Sequence, residues 1–215
     1  MKIRVKFCGI TSIEDRDSAI AAGADAIGMV FFKESPRFVT LEKAERIVKD
    51  MPPFVSAVGV FVNEELGYIE ECVERLGLNA VQLHGDEDVK YCVKLKGMNL
   101  KGAKLIKGIR VKDRESLGAI ENCPADAILL DVYKKGIYGG TGKGFDPSLA
   151  VIAKEYGRNL IISGGLTPDN IYETVKEIKP YGVDVSSGIE SRPGKKNSEL
   201  MERFIEEVRR AEAEI

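Results

Sequence analysis

Short apolar runs and longer amphipathic segments alternate along the whole chain. The runs are Ile3–Cys8, Ala26–Phe32, Ser56–Val62, Ala80–His84, Lys104–Ile109, Ala127–Asp131, Leu160–Ser163 and Val183–Ser186. Each is short, rich in Val, Ile or Leu, and ends in small or polar residues. Continuous apolar runs of this length suit parallel strands that are covered on both faces.

The segments between them carry helix signals. Thr11-Ser12-Ile13-Glu14 predicts a capping box, with Glu14 reaching back to the Thr11 amide. Apolar positions follow at Ile13, Ala19 and Ile20, and Gly23 ends the helix. Thr40 predicts the cap of a helix through Asp50, with Leu41, Ala44, Ile47 and Val48 on one face and Pro52-Pro53 beyond. Thr167-Pro168-Asp169 reads as a helix start: a cap, a proline in the first turn, and an acid near the positive end of the dipole. The last segment puts Leu200, Phe204 and Val208 on one stripe. Asp113 to Ile120 is a short helical segment containing Gly118, and a glycine-rich insert, Lys134 to Phe145, follows the sixth strand.

Eight strand-then-helix units in 215 residues average about 27 residues each. Alternating units predict a parallel sheet, open and doubly wound or closed into a barrel, and eight of them favour a single-domain (β/α)8 TIM barrel over residues 1–215. Composition agrees with a packed domain: 44% hydrophobic and 31% charged residues exclude a disordered chain. The formal net charge of −2 gives no general footprint for nucleic acid. The basic residues in MKIRVKFCGI interrupt any signal-like apolar stretch, and no apolar run approaches membrane-spanning length. Four scattered cysteines without a CxxC pair read as free thiols in a reducing cytoplasm. The high content of Lys, Glu and Arg leans towards a heat-adapted source. A single histidine, His84, rules out sites that need two or more imidazoles, and no metal is expected.

In a barrel of this kind, chemistry belongs to the loops after the C-terminal ends of the strands. Those ends offer Cys8-Gly9, Phe32 to Arg37, Gln82 with His84-Gly85, Asp131, Ser163-Gly164-Gly165 and Ser186-Ser187-Gly188. The glycines of the seventh and eighth loops suit close approach of a phosphate, or are tight turns. Asp131 closes an apolar run, where a carboxyl can act as a general acid or can bind loop amides. Cys8 faces the mouth, where a thiolate can serve as base or nucleophile, whereas Cys72, Cys92 and Cys123 read as small buried hydrophobes. His84 suits contacting or ordering a substrate. Arg37, in a loop stiffened by Pro36, suits a bidentate grip on a carboxylate or simple solvation. Gly139 to Gly144 departs from a P-loop, because Gly144 stands where Ser or Thr is needed. It reads as a lid or as a flexible loop.

Taken in order, Lys6-Phe7-Cys8-Gly9-Ile10-Thr11, Ser35-Pro36-Arg37, Gln82-Leu83-His84-Gly85, Leu129-Leu130-Asp131, Gly139 to Asp146, Ser163 to Asn170 and Gly182 to Glu190 resemble the phosphoribosylanthranilate isomerase family of tryptophan biosynthesis. The resemblance runs from the first strand to the eighth. The chain departs from it at Pro193 to Asn197, where an Asp is expected near Asn197, and at Pro147, where an aromatic often follows the Asp. The resemblance implies an Amadori rearrangement of a phosphosugar without cofactor. Asp131 would be the general acid and Cys8 the general base. Arg37 would bind the anthranilate carboxylate, Gly164, Gly165, Ser187 and Gly188 the phosphate, and Asp184 the sugar hydroxyls. Gln82 and His84 complete the expected substrate-binding set. A monomer and a homodimer both fit.

Two other readings use some of the same residues. An indole-forming synthase on a similar barrel would employ Lys and Glu at strand ends, and Lys6 is available. A non-catalytic phosphosugar-binding barrel would keep the glycine loops but has no use for Cys8 and Asp131. A metal-dependent epimerase would need more histidines than the chain has.

Overall fold

The structure is a computed structural model that describes residues 1–98, 100–111, 113–131 and 147–215. The glycine-rich insert therefore lies outside the described residues. Eight parallel strands close into a barrel: β1 (Arg4–Cys8), β2 (Ala26–Val30), β3 (Ser56–Phe61), β4 (Ala80–Leu83), β5 (Lys104–Arg110), β6 (Ala127–Asp131), β7 (Asn159–Ser163) and β8 (Gly182–Val185). Closure is direct, since Lys6 pairs with Ala26 on one side and with Asp184 on the other. The doubly wound alternative is thereby excluded.

The helices follow their strands: α1 (Ile13–Ala22), α2 (Leu41–Val48), α3 (Leu66–Leu76), α4 (Val89–Gly97), α5 (Pro147–Lys154), α6 (Ile171–Ile178) and α7 (Ser198–Glu212). A 3-10 helix, Glu115–Ile120, stands after β5. Alternate residues of each strand face outward and pack under the helices; Val5, Phe7, Ile27, Met29 and Leu83 belong to this outer core. Phe204 of α7 packs edge-on against Phe7 with ring centroids 6.0 Å apart. The inward set forms a second, smaller core of Val58, Ala80, Ile106, Ala127, Leu129 and Ile161. Small side chains at its lower edge, among them Ala26, Ala80 and Ala127, leave a cavity of about 790 Å³ at the N-terminal end, with Phe54 on its rim. No helix among the described residues is long and apolar enough to cross a membrane.

Helix starts moved from their expected positions where a neighbouring polar residue did the capping better. Ser12, not Thr11, caps α1 by accepting from the Asp15 amide at 3.1 Å. The Thr11 hydroxyl instead donates to the Gly194 carbonyl at 2.7 Å. Thr40 caps α2 as expected, accepting from Lys43. Helix α6 begins at Ile171, later than Thr167 suggested, because Asn170 closes a turn by accepting from the Thr167 amide at 2.8 Å and donating to Gly165 O at 2.9 Å.

Beyond β8 the chain forms a short hairpin, β9 (Glu190–Arg192) and β10 (Lys195–Lys196). It docks on the start of α1: Lys195 pairs with Asp15 at 2.9 Å, and the Lys196 amide donates to the same carboxylate.

Candidate active site at the C-terminal mouth

Each strand end delivers its last inward residue to one rim. Cys8 ends β1 with its side chain packed among Val30, Val60 and Phe32. Burial is the main influence on this thiol and pushes it above its ordinary value. Lys6 and Lys196 oppose that push, while Asp184 adds to it.

Asp131 ends β6, and His84 lies just past β4. The two meet, with His84 Nε2 3.4 Å from Asp131 Oδ2. Gln82, turned inward from β4, stands behind the imidazole with its Nε2 3.3 Å from His84 Nδ1. Gln82 is 1% exposed, and its Oε1 has no hydrogen-bond partner among the described residues. A histidine expected to meet a substrate thus also touches the expected acid. The loop carrying it is tied down from outside the barrel, where Lys107 donates to Gly85 O at 2.8 Å and to Glu87 at 2.6 Å.

Arg37 sits after β2 in a turn where its amide donates to Ser35 Oγ at 3.1 Å. Its guanidinium is forked onto Glu190, Nε to Oε1 at 2.8 Å and Nη2 to Oε2 at 2.6 Å. Glu190 also receives Lys196 at 2.9 Å, and Lys196 donates to Ser186 O at 3.0 Å. The arginine predicted to hold a substrate carboxylate therefore has one edge already engaged, leaving Nη1 for a ligand.

The glycine loops after β7 and β8 lie against each other. Gly164 and Gly165 both have positive φ, 92° and 64°. Gly188 is the middle residue of a 3-10 turn, Ser187–Ile189, and a Cβ there would overlap the carbonyl oxygen of Leu166. Only glycine lets these loops approach so closely. Asp184 is placed lower than expected for a sugar contact: it is 3% exposed and paired with Lys6 at 2.9 Å.

The structure thus gathers Cys8, Asp131, Arg37, His84, Gly164, Gly165, Ser187 and Gly188 around the mouth, with Gln82 and Asp184 beneath them. Sequence reading missed Glu190 as the partner of Arg37, and Lys196 as the second cation on Glu190. The only available signals were their positions in and after the eighth loop. It considered Lys6 only for a rival reaction. Among the described residues, no group of His, Cys, Asp and Glu side chains could hold a metal ion.

A closed (β/α)8 barrel with a thiol, a carboxyl and paired glycine loops on its C-terminal rim has the layout of a barrel enzyme. Residues 5–207 match the family model described as N-(5′-phosphoribosyl)anthranilate (PRA) isomerase, and the chain belongs to that family. It is therefore an aldose–ketose isomerase of tryptophan biosynthesis. The chain is 45% identical over 207 residues to the N-(5′-phosphoribosyl)anthranilate isomerase of Citrifermentans bemidjiense, covering 96% of this chain and 97% of the relative. It is 47% identical over 211 residues to that of Geobacter metallireducens, covering 98% and 100%. The crystal structure of the Thermotoga maritima enzyme superposes with a TM-score of 0.87 at 41% identity, covering 97% of this chain and 99% of that one. A phosphoribosyl anthranilate isomerase solved in complex with reduced 1-(o-carboxyphenylamino)-1-deoxyribulose 5-phosphate superposes with a TM-score of 0.85 at 38% identity, covering 97% and 99%.

Proposed function

We propose that the chain converts N-(5-phosphoribosyl)anthranilate to 1-(2-carboxyphenylamino)-1-deoxyribulose 5-phosphate, with Asp131 as general acid and Cys8 as general base. The observation that carries this reading is the delivery of Cys8 by β1 and Asp131 by β6 to the same rim, above the inner core. The similar structure holding a reduced form of the product supports the choice of substrate.

Asp131 protonates the ribose ring oxygen, and the ring opens to a protonated Schiff base. The positive nitrogen acidifies the C2 proton, which Cys8 removes as a thiolate. The resulting enolamine tautomerises to the ketone. The substrate's own nitrogen is the electron sink, so the proposed steps draw on no cofactor. His84, backed by Gln82, orients Asp131 and faces the substrate. Arg37 takes the anthranilate carboxylate on the edge that Glu190 leaves open. Gly164, Gly165, Ser187 and Gly188 receive the phosphate. Residues 1–215 act as one cytoplasmic barrel domain, monomeric or homodimeric, without nucleic-acid or membrane partners.

Cys8→Ala and Asp131→Asn test the roles. Each variant should fold as wild type and lose ~10²–10⁴-fold in turnover, the usual contribution of a general acid or base. The assay follows the fluorescence of freshly made phosphoribosylanthranilate as it disappears. Near wild-type turnover in both variants would overturn the assignment.

A further inference from the structure

Lys6 and Cys8 are two residues apart on β1, so both side chains point into the barrel. Lys6 is 6% exposed. A buried ammonium needs a counterion, and Asp184, its direct partner on β8, supplies one at 2.9 Å. Stability alone gives little reason for such a pair, because a well-packed apolar pair would hold the barrel as well or better. The ammonium has a second neighbour. It hydrogen-bonds Asp184 and lies near the Cys8 thiol, and its charge acts on both. Gly28 on β2 makes the room: a methyl group built there would stand 2.9 Å from Lys6 Nζ and 3.1 Å from Cys8 Sγ.

We propose that Lys6 is a positioning residue for the base, its ammonium held by Asp184 so that it stabilises and aims the Cys8 thiolate. This rests on the reading of Cys8 as the base. The other charged groups that bear on Cys8 are Lys196 from β10 and Arg37 from the loop after β2. Both are shared with Glu190, which offsets their charge. From β2 and β3 the uncharged Gly28, Val30 and Val60 lie beside Cys8, with Phe32 alongside. Lys6 is the strongest influence favouring the thiolate against burial and the Asp184 charge. Loss of Lys6 leaves burial and Asp184 opposed mainly by Lys196.

The test is the pH at which Cys8 becomes a thiolate. Alkylation of Cys8 by iodoacetamide is followed across pH in the intact protein and located by peptide mass, in parallel with the pH profile of kcat/KM. In Lys6→Met the midpoint for both should rise by about one unit or more, which slows alkylation roughly tenfold on the acidic side of the midpoint. Lost activity should return as the pH is raised, a rescue that a purely structural role would not give. Lys6→Arg should keep most of the wild-type profile. Because Lys6→Met strands a buried carboxylate and can unfold the barrel, Lys6→Met/Asp184→Asn provides a second variant with no unpaired charge. Because loss of the Asp184 charge offsets part of the effect, its midpoint is compared with that of Asp184→Asn alone and should lie above it. An unmoved midpoint in Lys6→Met, or a double-variant midpoint no higher than that of Asp184→Asn alone, would overturn the role of Lys6. Full turnover in Cys8→Ala would instead overturn the reading of Cys8 as base, so the two failures are distinguishable.

Discussion

Glu190→Gln perturbs a buried cluster of one carboxylate and two cations at the mouth of the barrel. Glu190 and Lys196 have side chains only 4% and 1% exposed, and Arg37 is 20% exposed, so among the described residues the carboxylate is the one salt-bridge partner of two cations in a nearly dry space. Breaking a buried ion pair by removing one partner costs ~3–5 kcal/mol. Glutamine keeps the shape and one acceptor oxygen, which places the loss at the low end, ~3 kcal/mol. In a chain of this size that is a fall in Tm of ~6–12 °C. The loss should depend on pH in a defined direction. Burial works to raise the Glu190 carboxyl, but the hydrogen bonds and charges of Arg37 and Lys196 outweigh it and hold the group below its ordinary value. Its stabilising contribution is therefore fully present above the unfolded value of ~4.3 and lost as the pH falls through the lower folded value. Denaturant unfolding of wild type and variant at pH 7 should show the full gap, and the gap should narrow once the pH is below about 4. In kinetics, Arg37 loses the fork that aims it, so KM should rise more than kcat falls. A gap at pH 7 below ~1 kcal/mol, typical of an exposed pair, would refute the reasoning. So would a gap that is the same at pH 7 and in acid.

Two further substitutions probe the loops and the core. Gly188→Ala drives a methyl group into the Leu166 carbonyl, so the loops after β7 and β8 must part; ~1–3 kcal/mol of stability should be lost, and steady-state kinetics should show KM for the phosphosugar rising more than kcat falls. Phe204→Ala removes a fully buried ring from between α7 and Phe7 and should cost ~3–5 kcal/mol in chemical denaturation, with kcat unchanged at temperatures where the variant stays folded.

The barrel was legible from the chain because its strands are covered on both faces and so carry unbroken apolar runs. Eight such runs, each followed by an amphipathic segment, leave few topologies. Their C-terminal ends named the rim, and with it Cys8, Asp131, Arg37, His84 and the glycine loops. Local signals were less reliable at helix starts. Thr11 and Ser12 are both competent caps, and the choice fell to Ser12 because a distant carbonyl, Gly194, claims the Thr11 hydroxyl.

What only the tertiary structure decided is which polar groups meet. Lys6 and Asp184 are 178 residues apart in sequence and Arg37 and Glu190 are 153 apart. Closing the barrel makes β1 and β8 neighbours, and the hairpin after β8 folds back over the mouth. No periodicity records such pairings, since a strand pattern states which face a residue takes and not what stands across from it. The sequence by itself therefore determined the layers, the rim and the residue types available for acid–base chemistry. Barrel closure decided that a lysine lies against the thiol, that a histidine lies against the carboxyl, and that the arginine reaches the mouth with one edge already bound.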